Sequence, residues 1–354
     1  MNELRKKNNL SFFLVCLKIG IGVLIYRGCI DVLSYGILPL IGILDMIAPE
    51  NLVLLNSVNY LYTAVVSLVS FLSGAIVLWI ILRIGKSKNY QPTYWRFRII
   101  PSALFLIIAT IALNFAMAEI NALLITLLSP GADMSFGINV TSDISVIEVI
   151  LLFISMAVIP GIVEEIMFRG IILTNLAPYG KGMAVVASGL LFGLMHMNPS
   201  QFFYTTVLGI ILGYIYLKTR SIWICIIIHF VNNSLGVIQQ IIYQCFNTQK
   251  ATKLMAIMMI IIAVLGIISI GVLLIVRARN RKKAPEEIGC FGRIYDSALS
   301  YEARPVTKWK KMLLFFSPSV SVFTIIVFVS MITAMMSTFM MGLLIGFFPG
   351  VFAF

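Results

Sequence analysis

The chain has 354 residues, of which 60% are hydrophobic and 11% charged, and its mean hydropathy is +1.02. That composition excludes a water-soluble globular protein of this length and points to a polytopic membrane protein. The net charge of +12 would suggest nucleic acid in a soluble chain, but here the basic residues cluster between apolar runs, so they report orientation and no nucleic-acid partner is expected.

The apolar runs repeatedly reach the roughly 20 residues needed to cross a ~30 Å hydrocarbon core as helix. None shows the short alternation of a membrane strand, so the predicted fold is all-α, a transmembrane bundle of about 8–10 spans. In chain order the predicted spans are 10–27, 57–83, 99–128, 145–175, 183–197, 201–218, 221–243, 254–276, 312–332 and 335–354. The first follows Arg5, Lys6 and Lys7 and is interrupted by Lys18. No small-residue cleavage site is evident, so a retained helix is expected. Residues 28–56, with Asp31, Pro39, Asp45 and Pro49, either lie in the interface or lengthen that helix. Three parts follow: N-terminal helices at 1–144, a motif-bearing core at 145–245, and C-terminal helices at 246–354.

Loop charge sets the sidedness. Arg83, Lys86, Lys88, Arg96 and Arg98 fall together without an acid, whereas 129–144 holds only Asp133 and Asp143, so the first loop is expected inside and the second outside. Residues 277–311 carry ten basic residues against four acids and form the longest predicted cytoplasmic loop, on the same side as the N-terminus. That loop is expected to be solvated, with attraction to anionic headgroups as the alternative. Cys16, Cys29, Cys225, Cys245 and Cys290 are scattered without a CxxC pair, which indicates neither a disulfide framework nor a thiolate metal site. GLLFG (189–193) and GIILG (209–213) are small-xxx-small patterns that let helices approach closely. Glu119 and Glu148 are assigned packing, interfacial or water-facing roles, and Lys18 snorkels to the inner surface.

The stretch PGIVEEIMFRG (160–170) puts three ionisable groups in an apolar span, where each costs at least ~2.5 kcal/mol at the bilayer centre. Glu165 and Arg169 stand at i and i+4 with the acid first, the favourable order for an ion pair. Glu164 lies about 100° further round the helix and is less well placed for that arginine. Two accounts stay open on these residues: a carboxylate suited to accept a proton, or a buried ion pair that holds helices together. Pro160 cannot donate to the carbonyl of Met156, and a kink there would open space beside the carboxylates.

The chain has two histidines, His196 and His229, both in predicted spans. His229 and Asn233 share a helix face at i, i+4, with Asn232 about 100° away. Counted from the expected cytoplasmic helix ends at about 1.5 Å per residue, Glu164, His196 and His229 lie roughly 16, 20 and 12 Å deep, one layer that a single cavity could reach.

EEIMFR, FGLMH (192–196) and HFVNN (229–233), in that order on three helices, fit EExxxR, FxxxH and HxxxN. The set resembles the CAAX-processing and bacteriocin-processing (CPBP, or Abi) intramembrane protease family, which includes the type II CAAX prenyl endopeptidases. That resemblance covers about 145–245. It implies peptide-bond hydrolysis within a membrane, here expected to be the plasma membrane of a bacterium, at a site opening toward the cytoplasm. It further implies Glu164 as general base, His196 holding and activating water, Glu165 and Arg169 orienting the carboxylate, and His229 with Asn233 stabilising the oxyanion. The family is also described as metalloproteases, and Glu164, His196 and His229 form an acceptable zinc set with one position left for water. Metal-independent chemistry is favoured, because no HExxH is present and the adjacent glutamates carry a built-in arginine. The implied partners are the bilayer and a membrane peptide, whether lipidated at a CAAX terminus or a leader. The alternatives are a non-catalytic scaffold or immunity factor, or a proton-coupled transporter, although no internal repeat supports the last.

Overall fold

The structure, a computed structural model, describes residues 2–36, 52–83, 102–128, 144–196, 199–283, 288–289 and 292–293. It is a polytopic helical bundle. Its helices are α1 (Asn2–Gly36), α2 (Leu52–Arg83), α3 (Ala103–Leu128), α4 (Val146–Tyr179), α5 (Lys181–Met195), α6 (Pro199–Thr219), α7 (Ile222–Cys245) and α8 (Thr248–Lys283). A two-residue strand pair, β1 (Ile288–Gly289) with β2 (Gly292–Arg293), falls within the basic stretch. Among the described residues seven helices are long and apolar enough to cross a membrane, all but α5. With 15 residues, α5 rises about 22 Å, short of a ~30 Å core, and it ends inside the bundle at His196. Helix α1 runs on to Gly36, so the first part of the ambiguous stretch lengthens the helix. Residues 37–51 and the predicted spans 312–332 and 335–354 lie outside the described residues.

Successive helices alternate in direction, which gives the bundle two ends. One gathers the starts of α1, α3, α5 and α7 with the finishes of α2, α4, α6 and α8. The other gathers the opposite termini. Small residues set the closest crossings. Gly22 abuts Leu78 and Gly74 abuts Tyr26 between α1 and α2. The two small-xxx-small patterns meet each other between α5 and α6: a methyl on Gly209 would lie 2.8 Å from the Gly189 Cα, and one on Gly189 would lie 2.7 Å from the Ile210 nitrogen. Both contacts involve backbone, so the helices can approach this closely only without side chains there.

Helix α4 organises the core. Ser145 caps its start and accepts from the Glu148 N–H while Glu148 Oε2 accepts from the Ser145 N–H, a reciprocal capping box that explains the buried Glu148. The rod then changes pitch twice, with π-helix at Ile154–Val158 and Ile166–Leu173 bracketing an α-helical block, Ile159–Glu165. Phe168 and Ile172 of this rod pack with Phe12, Leu78, Phe192, Leu212 and Ile228 in one apolar core. At the periphery, α8 leaves Ile260, Ile267 and Ile275 exposed, as a lipid-facing helix does.

Candidate active site

The ionisable residues of α4 divide into two environments. Glu165 and Arg169 are wholly buried, and their contact is an ion pair of 2.6 Å between Nη1 and Oε1. Arg169 also donates from Nη2 to the Gly209 carbonyl at 3.3 Å and lies over the Phe192 ring, 4.8 Å from its centroid. The glycine crossing of α5 and α6 thus brings a bare carbonyl up to the guanidinium. Glu165 Oε1 accepts a second bond, from His229 Nδ1 at 2.9 Å. The resemblance implies that Glu165 and Arg169 orient Glu164. In the structure they hold His229.

Glu164 instead faces a cavity of about 870 Å³. Its Oε2 stands 3.9 Å from His229 Nε2, and its side chain keeps 12% exposure against 3% for His229. His196, His229, Asn232 and Asn233 line the same cavity, as does Pro160 one turn before Glu164. The expectation that one cavity reaches these groups is met. The fixed hydrogen bonds also settle each imidazole's orientation. His196 Nδ1 donates to the Phe192 carbonyl at 2.9 Å, and His229 Nδ1 donates to a carboxylate, so each ring turns its Nε2 toward the cavity. Phe192 meets both imidazoles edge-on, at 5.1 Å from His196 and 5.5 Å from His229.

Asn233 has a partner that follows from Pro160. Proline has no N–H for the carbonyl of Met156, and Asn233 Nδ2 donates to that carbonyl at 3.1 Å. Asn233 Oδ1 in turn accepts from Asn232 Nδ2 at 3.3 Å, and Asn232 Oδ1 accepts from Asn114 Nδ2 of α3 at 2.8 Å. Three amides therefore form one chain ending on the freed carbonyl. Sequence reasoning missed Asn114 and set Asn232 aside. The available signal was a mid-span asparagine in α3, a run whose other strongly polar residues are Glu119 and Asn121.

As arranged, the residues do not form a metal-binding set: among the described residues no three His, Cys, Asp or Glu side chains gather closely enough to hold an ion. The sequence-based set Glu164, His196 and His229 shares a cavity without meeting at coordination distance.

The cavity draws on six helices. Its walls come from Tyr26 to Ile30 of α1, Thr63 to Phe71 of α2, Ser155 to Phe168 of α4, the last turn of α5, Gln201 to Leu208 of α6, and His229 to Gln244 of α7. Most of these belong to the half of the bundle where α1, α5 and α7 finish, and Phe168 and Phe192 close the cavity against the apolar core. The basic helix ends, with Arg83, Lys181, Lys218, Arg220 and Arg277, lie at the other end.

Comparison with known proteins supports the motif assignment over the same region. Residues 146–235 match the family described as Type II CAAX prenyl endopeptidase Rce1-like. A Bacillus subtilis (strain 168) protein named "Putative membrane peptidase YdiL" is 33% identical over 107 residues, which cover 29% of this chain and 43% of that protein. The chain thus spans less than half the length of this relative. No solved structure matches.

Proposed function

We propose that the protein is an intramembrane endopeptidase that hydrolyses a peptide bond with water activated by Glu164. One observation carries this: Glu164, His196 and His229, from three different helices, face a single cavity inside an apolar bundle. The Rce1-like match over 146–235 and the membrane-peptidase name of the relative support the same class of reaction.

In this mechanism Glu164 takes a proton from a water that accepts no bond from His229 and donates to His196 Nε2. The hydroxide attacks the scissile carbonyl, and the resulting oxyanion is met by His229 Nε2–H and by the second N–H of Asn233, whose first serves Met156. That role requires a protonated His229, and with it the group Glu164, Glu165, Arg169 and His229 sums to zero charge. Glu164 then returns its proton to the leaving amine as the C–N bond breaks. Glu165 and Arg169 act through His229 and are positioning residues. No step is routed through a metal. Metal analysis of a chelator-washed preparation tests this, since one tightly held equivalent lost together with activity would sink the metal-free account.

The substrate is a membrane-associated peptide or protein, with a prenylated CAAX-type terminus suggested by the family description and a leader peptide as the alternative. Glu164→Gln keeps shape and removes the base, and is expected to lower cleavage by ~10²–10⁴ at normal abundance. Trapping with that variant and mass spectrometry identifies the substrate. Cleavage surviving in Glu164→Gln sinks the enzyme assignment, and a stability loss with no separable activity favours a scaffold.

A further inference from the structure

The amide chain beside the site has a fixed direction. The Met156 carbonyl, freed by Pro160, can only accept, so the atom that Asn233 turns to it at 3.1 Å is Nδ2. Asn233 Oδ1 then faces Asn232, which must donate, and does so from Nδ2 at 3.3 Å. Asn232 Oδ1 is left facing Asn114, whose Nδ2 donates to it at 2.8 Å. A proline in α4 thus assigns oxygen and nitrogen, normally hard to distinguish in an amide, on three side chains in turn. Turning either inner amide over would set donor against donor or acceptor against acceptor.

The backbone around Asn233 is set independently of its side chain. A methyl on Gly161 would lie 3.2 Å from the Phe230 nitrogen, so α4 and α7 meet through backbone one turn before Asn233. That contact leaves the amide plane undecided, because the terminal torsion of asparagine is broad. Asn233 lines the cavity. With an N–H outward it meets the oxyanion of the proposed reaction, whereas with its carbonyl oxygen outward it would repel that charge.

Asn114 holds the far end of the chain. It belongs to α3, outside the residues 146–235 that match the family, and it is 2% exposed. Its Oδ1 has no partner among the described residues, so the side chain is anchored through its donor alone. A buried polar atom left over in this way calls for a reason beyond stability. Leucine has the same branched shape and would leave no orphan in α3, while Asn232, which lines the cavity, could still be served by water there.

We propose that Asn114 is a positioning residue for the hydrolysis: acting through Asn232, it holds the amide of Asn233 with an N–H toward the reacting carbonyl. This rests on the peptidase assignment. The test compares Asn114→Leu with Asn114→Ala, which both lose the donor but differ in the volume they keep. The leucine variant is expected to hold the wild-type melting temperature and the alanine variant to lower it. Both are expected to lower kcat by the same roughly three- to tenfold, the rate equivalent of one hydrogen bond, with KM unchanged, on an internally quenched, prenylated peptide in proteoliposomes. A kcat that follows the melting temperature, or that stays at the wild-type value in both, overturns the proposal. In an Asn232→Leu background the chain is already cut, so adding Asn114→Leu is expected to change kcat no further, and multiplied losses overturn it as well. A second readout needs no hydrolysis. In protein carrying isotope-labelled asparagine in micelles, the side-chain amide resonance of Asn233, assigned by its loss in Asn233→Ala, is expected to shift or broaden in Asn114→Leu. A moved resonance with no Glu164-dependent cleavage sinks the peptidase assignment alone, whereas Glu164-dependent cleavage with an unmoved resonance sinks the role of Asn114 alone.

Discussion

Replacing Arg169 with methionine removes the cation from a pair that is wholly buried on both sides and separated by 2.6 Å. At an effective dielectric constant near 20 and charge centres about 4 Å apart, the lost attraction is about 4 kcal/mol. Glu165 would keep only the bond from His229. Breaking a buried pair by deleting one partner costs about 3–5 kcal/mol, so Arg169→Met is expected in that range. Adding Glu165→Gln removes the stranded charge while keeping an acceptor for His229 Nδ1, so the double variant is expected to recover about half the loss. Reversible SDS denaturation of purified protein in mixed micelles measures all four corners of the cycle. A single variant within ~1 kcal/mol of wild type, the level of an exposed pair, or strictly additive losses in the double variant, would refute the argument that the pair is a coupled, desolvated unit.

Asn233→Ala orphans the Met156 carbonyl and is expected to cost about 1–3 kcal/mol. In a Pro160→Ala background, which restores a backbone donor, the same substitution should cost less when read by the same denaturation cycle. Phe192→Leu keeps an apolar wall but loses the ring edge between the two imidazoles; steady-state kinetics should show a fall in kcat with little change in KM. Gly189→Leu drives a side chain into the Ile210 backbone, and the separation of α5 from α6 should cost about 1–3 kcal/mol, seen as a lowered melting temperature and reduced cleavage as the Gly209 carbonyl leaves Arg169.

Hydropathy made α2, α3, α7 and α8 legible because a bilayer demands about 20 consecutive apolar residues, and spacing made the Glu165–Arg169 pair legible because i and i+4 neighbours meet on one helix. Glycine patterns likewise anticipated the α5–α6 crossing. What spacing could not supply was contact between helices. Whether Glu165 serves Glu164 or His229 depends on the rotation of α7 against α4, and no periodicity within either helix contains that angle. The Asn114–Asn232–Asn233 chain was hidden for the same reason. Glu148, by contrast, was readable as the fourth residue of SVIE at a helix start and was passed over because an acid in an apolar run invites a search for a distant partner. Depth counted from one helix end placed Glu164, His196 and His229 in one layer, but depth alone does not say which way a cavity opens.

The two π segments of α4 give the site an unusual kind of tolerance. A π turn holds one residue more than an α turn, so each behaves as an insertion kept in place by its surroundings. They lie on either side of the seven residues that include Pro160, Glu164 and Glu165. Because each wide turn takes up its extra residue as a bulge, deleting one residue from each would regularise the backbone and shorten the span by only about 3 Å, with Glu164 still at the cavity wall. A deletion from regular α-helix has no bulge to draw on and turns everything beyond it by about 100°. Where α4 can lose a residue without moving its motif is therefore a variable that deletion mutagenesis samples and substitution does not.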